Sequence, residues 1–587
     1  MLRIRVLQLS LVVLVLAVAG AALSQGSARD FVPVTDQLLL NPGDGDWIHS
    51  RRTYSGWGHS PLTQINTSNV GQLTLAWSRT MRPGNNEATP IVHNGVMYLG
   101  QGENTVQALD ATTGDLIWEY RRDVPDMSEA SGIAVVSGIT RSVALYDDEV
   151  YFNSQDGALV ALDARTGQVA WETIVGDYRF LGQSAGPLVV DGKVLSGRAC
   201  DPGLPGGCFI TAHDSQSGEE LWRTYLIPQP GEPGGDTWGD LPWESRLHVG
   251  AWGNVGAYDA ELGLVFWGTS VPAPSAEIIR GTVGDDVLYS NSTLALDVDT
   301  GEIVWYYQHL PRDNWDFDHP FERMTIDTQV APDPSEVPWI SPNVVPGQTY
   351  RTLTNIPGKT GIIYSLDRTN GEFLWARPTV RQNVVADIRD DGYVIVNEDV
   401  IPDNIDDPYG LVCPTAIGGR DWMAGVYNPE TNAIYQGLHN MCMDQPEITT
   451  DEWTPQDLYG ITLPASLAPG ETYAGTLRAF SAETGRELWR HEQQAHIMPL
   501  LSTGGGLIFA GDINRRFQAW DAATGEVLFQ TILGSIIAGF PVSYAVDGEQ
   551  YIAIAAGGGG LIEGLYMEVA GITAPTGGNT IYVFKLP

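Results

Sequence analysis

The feature that most constrains this chain is a segment that it repeats. "ALDATTGDLIW" (108–118) returns as "ALDARTGQVAW" from 161, "AHDSQSGEELW" from 212, "ALDVDTGEIVW" from 295, "SLDRTNGEFLW" from 365, "AFSAETGRELW" from 479 and "AWDAATGEVLF" from 519. Each copy is a strand ending in Asp or Ser, a four-residue turn closed by Gly, and a strand with an aromatic residue eight positions after the Asp or Ser. This is hairpin chemistry: the Asp side chain bonds the turn backbone, Gly takes the left-handed conformation, and alternation then resumes. One hairpin is marginal alone. Recurrence along the whole chain predicts an all-β fold of four-stranded antiparallel sheets set radially, a β-propeller. "QLTLAW" (72–77) is the second half of a cassette without its first, and "NTIYVFKLP" (579–587) is a first half without its second. Paired side by side, the two ends supply an eighth blade and close the ring. The long gap between 367 and 481 holds a further strand, "NAIYQGLHNMCM", and Pro-rich insertions that read as loops.

The chain opens with Arg3 and Arg5, an apolar run to about Leu23 and small residues at Ala22 and Ser24, the layout of a secretory signal peptide over 1–24. The propeller then occupies 25–587, exported to the periplasm, with no second apolar segment long enough to span a bilayer. Cys200, Cys208, Cys413 and Cys442 in an exported chain are expected as two bridges, and nearest-neighbour pairing is favoured among three connectivities. There is no CxxCH, hence no covalently attached haem. A net charge of −39 argues against nucleic acid as a partner. Lysine occurs only at 193, 359 and 585, so a lysine in a special place is notable.

"DNWDFDHP" (313–320) gathers three carboxylates, an indole and an imidazole in eight residues. If the segment is extended, Asp316 and Asp318 share one side, about 7 Å apart at the root. Carboxylates so close repel unless a cation sits between them, which makes the segment a candidate metal site.

The cassette resembles the tryptophan-docking repeat of the quinoprotein dehydrogenases that use pyrroloquinoline quinone (PQQ). "SPLTQINTSNVGQLTLAW" (60–77), "NSTLALDVDTGEIVWYYQ", "GIIYSLDRTNGEFLW" and "PVSYAVDGEQYIAIAAGGGG" are similar to that family's segments in the same order, over nearly the whole mature chain. The resemblance implies an eight-bladed funnel with PQQ on its axis, stacked on an indole and chelating one metal ion, Ca2+ or a lanthanide. "DNWDFD" resembles the family's catalytic segment, which makes Asp316 the general base and a metal-side carboxylate; Asp318 resembles the extra aspartate of the lanthanide-dependent members. Glu87, Arg141 and Ser184 match positions that hold the quinone's carboxylates and carbonyls. Trp267 matches the stacking floor, Lys359 the cation near the reactive carbonyl, and Asp421 a cofactor-contacting position that is often Asn.

Three departures mark a divergent branch. The adjacent cysteine pair over the quinone is replaced by Val135 and Val136. The metal-binding Glu has no clear match in "RACDPGLPGGC", where Asp201 is the candidate, and the family's ligand Asn falls at Asp286. The implied activity is oxidation of an alcohol to an aldehyde or ketone, with hydride passing to PQQ, the metal acting as Lewis acid, Asp316 as base, and electrons leaving to a soluble cytochrome c. The rival readings are a non-enzymatic propeller scaffold, which would lack convergent axial charges, and a quinoprotein acting on sugars or polymeric alcohols.

Overall fold

The computed structural model describes residues 31–130, 138–200, 204, 207–354, 358–449 and 460–587. The expected signal peptide, Asp201, Val135 and Val136 lie outside the described residues. The fold is an all-β propeller. Its main sheets, of four or five strands, succeed one another along the chain over 91–121, 144–174, 188–225, 257–308, 324–378, 426–493, 497–532 and 542–585. The last of these takes its outer strand from the other end of the chain: Thr74–Thr80 pairs antiparallel with Thr580–Lys585. The insertions within 367–481 form small satellites, one pairing Val385–Ile388 with Val394–Val396 and another joining Leu411–Val412, Met441–Asp444 and Ala465–Leu467.

Burial within a sheet follows strand position. Inner strands such as Val96–Gln101 and Leu507–Asp512 are covered on both faces and read as unbroken apolar runs. Outer strands such as Val169–Ile174 and Glu487–Gln493 alternate, because one face meets water. The cassettes connect these strands in one way. Asp110 Oδ1 accepts from the backbone N–H groups of Thr112 and Thr113, and Asp163, Asp214, Asp297 and Asp521 repeat the pattern.

The cassette Trp packs outside its own sheet. Trp118 lies over Gly167 of the next sheet, so close that a Cβ there would sit 2.5 Å from its ring, and its Nε1 donates to Ala164 O at 2.9 Å. Trp77 meets Gly114 as closely, as do Trp171 and Gly218, Trp222 and Gly301, Trp305 and Gly371, and Trp489 and Gly525, while at Gly485 the Trp375 ring is 3.2 Å from the Cβ position and Val337 is nearer. Each of these glycines has a positive φ, so the position excludes a side chain twice over, by backbone conformation and by space.

Two disulfides, Cys200–Cys208 and Cys413–Cys442, pair nearest neighbours as the sequence led us to expect. Among the described residues no helix is long and apolar enough to cross a membrane.

Removing the Trp118 ring should cost about 3–5 kcal/mol by leaving a cavity between two sheets. Gly167→Ala, which adds one methyl at a strained φ against that ring, should cost about 1–3 kcal/mol. Urea unfolding followed by far-UV circular dichroism measures both. A Gly167→Ala protein as stable as the parent would show that the contact is not a constraint.

Candidate active site

Glu87, Arg141 and Ser184 each lie a few residues before an innermost strand, Ile91–His93, Ala144–Tyr146 and Leu188–Val190 respectively. Asp316 and Asp318 precede Met324–Val330 in the same way, and Trp267 is at the exit of the second strand of its sheet, Leu264–Gly268. In an antiparallel sheet the entry of the first strand and the exit of the second share an end, so the topology delivers these residues to one face of the propeller.

Arg141 organises one side of that face. Its Nε donates to Glu87 Oε2 at 2.7 Å, and its Nη1 to Ser184 Oγ and Gly253 O, both at 2.8 Å. The guanidinium is also packed on Trp422 and Trp252, 4.9 and 5.4 Å from the ring centroids. Burial pushes Glu87 up to about 8, against the pull of Arg141. Glu563, buried at the start of the helix Leu561–Val569, accepts from Gly560 N at 2.8 Å and adds its field to Glu87.

The other side is built by 313–318. The segment is not extended as the sequence reading supposed. Asp313 turns inward and accepts from the backbone N–H of Trp315 and of Phe317, both at 2.7 Å, and from Asn291 Nδ2 at 2.8 Å. That curl puts Asp316 in the left-handed region, φ 68°, uncommon for a residue with a side chain. Asp316 and Asp318 converge on one cation, which the protein itself supplies: Lys359 Nζ is 2.9 Å from Asp316 Oδ2 and 2.7 Å from Asp318 Oδ2. Lys359 reaches this position because Gly358, at positive φ, lies flat on the His319 ring, where a Cβ would be 2.3 Å from Cδ2. Asp421 completes the group; burial raises it to about 6, Lys359 lowers it and Asp318 raises it.

Several buried atoms here have no protein partner: Asp316 Oδ1, Asp421 Oδ2 and Trp267 Nε1. The close carboxylates of Asp316, Asp318 and Asp421 are hard oxygen donors of the kind Ca2+ or a lanthanide takes, and an indole N–H with Arg141, Ser184 and Lys359 fits an oxygen-rich cofactor. Among the described residues no three His, Cys, Asp or Glu side chains gather as a ready metal cage, so a metal would rest on Asp316 and Asp318 together with donors of the cofactor. Asp286 stands apart from this group. Its half-exposed carboxylate accepts from Tyr393 OH at 2.8 Å, and its carbonyl is tied to Gln308 Nε2 at 2.7 Å; the groups acting on Asp316 are Lys359, Asp318 and Asp313. The reading of Asp286 as a ligand assumed the family's turn, which here leans on the 389–393 insertion. Sequence reasoning did not find Trp252, Trp422 or Glu563. Trp422 directly follows Asp421, whereas Trp252 and Glu563 lie in no motif; contacts with Ser184 and Arg141 reveal Trp252.

The family model for the β-propeller domain of glucose, ethanol and alcohol dehydrogenases, the PQQ domain, matches residues 47–388. Quinoprotein alcohol dehydrogenase PedH of Pseudomonas putida is 32% identical over 98% of this chain and 96% of its own length. The chain belongs to the PQQ-dependent alcohol dehydrogenases. Members of this family are oxidoreductases acting on alcohols, and the β-propeller and quinoprotein assignments made from the sequence stand. The 1-butanol dehydrogenase (cytochrome c) of Thauera butanivorans is 31% identical over 92% of this chain and 78% of its own. A europium-containing methanol dehydrogenase superposes with a TM-score of 0.83 at 27% identity, covering 94% of this chain and all of that one. A model for the outer membrane assembly factor BamB matches only 473–563, outside Glu87, Arg141, Asp316, Lys359 and Asp421.

Replacing Lys359 by Met leaves two carboxylates facing each other in a buried space. The protein should lose about 3–5 kcal/mol at pH 7.5. Without the ammonium the folded carboxylates hold protons to higher pH than the unfolded ones, so the loss should shrink as pH falls toward 5. Urea midpoints at the two pH values measure it; a pH-independent loss would mean that packing, not charge, is what Lys359 supplies.

Proposed function

We propose that the protein is an exported, periplasmic dehydrogenase that oxidises a small alcohol to an aldehyde or ketone with PQQ and one metal ion, and passes electrons to a soluble cytochrome c. The observation that carries the reading is the buried pairing of Lys359 with Asp316 and Asp318, beside the Arg141–Glu87–Ser184 cluster, in a chain of this family. The proposed frame is an eight-bladed ring closed by the two chain ends; the pairing of Thr74–Thr80 with Thr580–Lys585 supports it.

When bound, PQQ accepts the two electrons removed from the alcohol, and the metal, Ca2+ or a lanthanide held by Asp316 and Asp318, polarises its carbonyl. Asp316 is the general base. Burial raises it well above the usual carboxylate range while Lys359 pulls it back, which suits a group that must both hold and release a proton. Its Oδ2 is engaged by Lys359, leaving the unpartnered Oδ1 to take the hydroxyl proton. Arg141, with Glu87 and Ser184 fixing it, orients the cofactor's carboxylates, Trp267 forms the stacking floor, and Asp421 contacts the ring. All four cysteines are bridged, which leaves no thiol for haem attachment and favours an external electron carrier.

Dye-linked oxidation by apoprotein titrated with PQQ and either lanthanum or calcium, across alcohols from methanol to long and aromatic ones and including sugars, tests the reading. Asp316→Asn should lower kcat by about 10²–10⁴-fold while PQQ still quenches tryptophan fluorescence. Asp318→Asn should cut the lanthanum-dependent rate by about 10–100-fold. A protein that neither binds PQQ nor turns over any alcohol with either metal would overturn the assignment of cofactor and reaction.

A further inference from the structure

Arg198 is a buried cation that this mechanism leaves unused. It follows directly on the strand Lys193–Gly197 and is 1% exposed. All its partners are neutral: Nη1 donates to Gln183 Oε1 at 3.0 Å, to Asn153 Oδ1 and Gly197 O at 3.2 Å, and to Ser196 Oγ. Its Nε and Nη2 are buried with no partner. Burying a guanidinium without an anion is costly, and natural interiors avoid it unless something pairs with the charge.

The surroundings narrow what that partner can be. Gln183 immediately precedes Ser184, whose hydroxyl accepts from Arg141. Gly197 is pressed against the proposed stacking indole, where an added Cβ would sit 3.0 Å from Trp267 Nε1. Arg198 O accepts from Ala251 N at 2.6 Å, one residue before Trp252. The Cys200–Cys208 bridge fixes the backbone that carries it. Arg198 thus stands between the Ser184 side of the site and Trp267, whose own Nε1 is likewise unspent.

We propose that Arg198 is a cofactor-binding residue, donating Nε–H and Nη2–H to an anionic oxygen group of the bound quinone. The inference rests on the reading of this site as a PQQ site. It deepens that reading by adding Arg198, the first residue of "RACDPGLPGGC", to which sequence reasoning assigned no role. A bidentate guanidinium matches a planar carboxylate or a pair of adjacent oxygens.

The experiment is a comparison of full-length apoprotein, Arg198→Gln and Arg198→Lys by PQQ titration, read through tryptophan fluorescence, and by thermal melting with and without PQQ. Arg198→Gln should raise the PQQ Kd about tenfold or more and lose most of the PQQ-induced rise in Tm, while the apo Tm holds or increases because an uncompensated charge has been removed. Arg198→Lys, which keeps the charge but not the fork, should fall between. An Arg198→Gln protein that binds PQQ with the parental Kd, or that melts well below the parent or fails to fold, overturns the proposal and makes Arg198 structural. If the parent itself binds no PQQ, the reading of the site fails first, a result distinct from equal binding by parent and variant.

Discussion

The architecture depends on one contact, the indole of a tryptophan cassette lying on the glycine turn of the next. A flat ring needs a flat partner, and glycine at positive φ gives a surface with no Cβ. Hydrogen bonding fixes the ring on that surface for Trp77, Trp118, Trp171, Trp222 and Trp489, while the buried Nε1 of Trp305 and of Trp375 has no partner. Ala164 O accepts both Trp118 Nε1, at 2.9 Å, and Tyr98 OH, at 3.2 Å; Ser215, Ala522 and Ala111 receive matching pairs from Trp171 with Tyr151, Trp489 with Tyr435, and Trp77 with Tyr544. Neighbouring sheets are therefore held in a set rotation by side chains far from the site. The loops at the other radius inherit that geometry, which is how residues from distant stretches of chain come to face one another.

Within the site, burial sets the chemistry and charge corrects it. Asp316, Asp421 and Glu87 are all raised by loss of water, and Lys359 or Arg141 then pulls each back. Neither effect alone would serve: a fully desolvated carboxylate would stay protonated, and a fully paired one would be too weak a base. Asp313 has no partner among these charges that neutralises it; its oxygens are spent on backbone N–H groups that bend the segment. Three aspartates close in sequence thus have separate tasks, one shaping the loop and two meeting the ammonium.

How much of this was legible in the sequence follows from distance along the chain. The cassette was legible because the Asp cap, the Gly turn and the Trp are local and recur, and the disulfide pairs because each joins near neighbours. Lys359 stood out through the scarcity of lysine, and Asp316 through its motif. The shape of 313–318 was not legible, since it depends on Asn291 and on backbone donors that no spacing rule reveals. Asp286 was read from a family turn that an insertion has drawn toward Tyr393. Arg198 opens "RACDPGLPGGC" without a role assigned to it and Trp252 lies in no motif; only three-dimensional neighbourhood distinguishes them from ordinary core residues.

The sheet shared by Thr74–Thr80 and 542–585 carries a consequence for biogenesis. Its outer strand emerges early from the ribosome and its three inner strands last, so the early strand stays unpaired while nearly all of the other sheets are made. An unpaired strand is an aggregation hazard. This sheet is complete only once Thr580–Lys585 has been made, so a transcript cut short before Thr580 leaves Thr74–Thr80 without its partner strand.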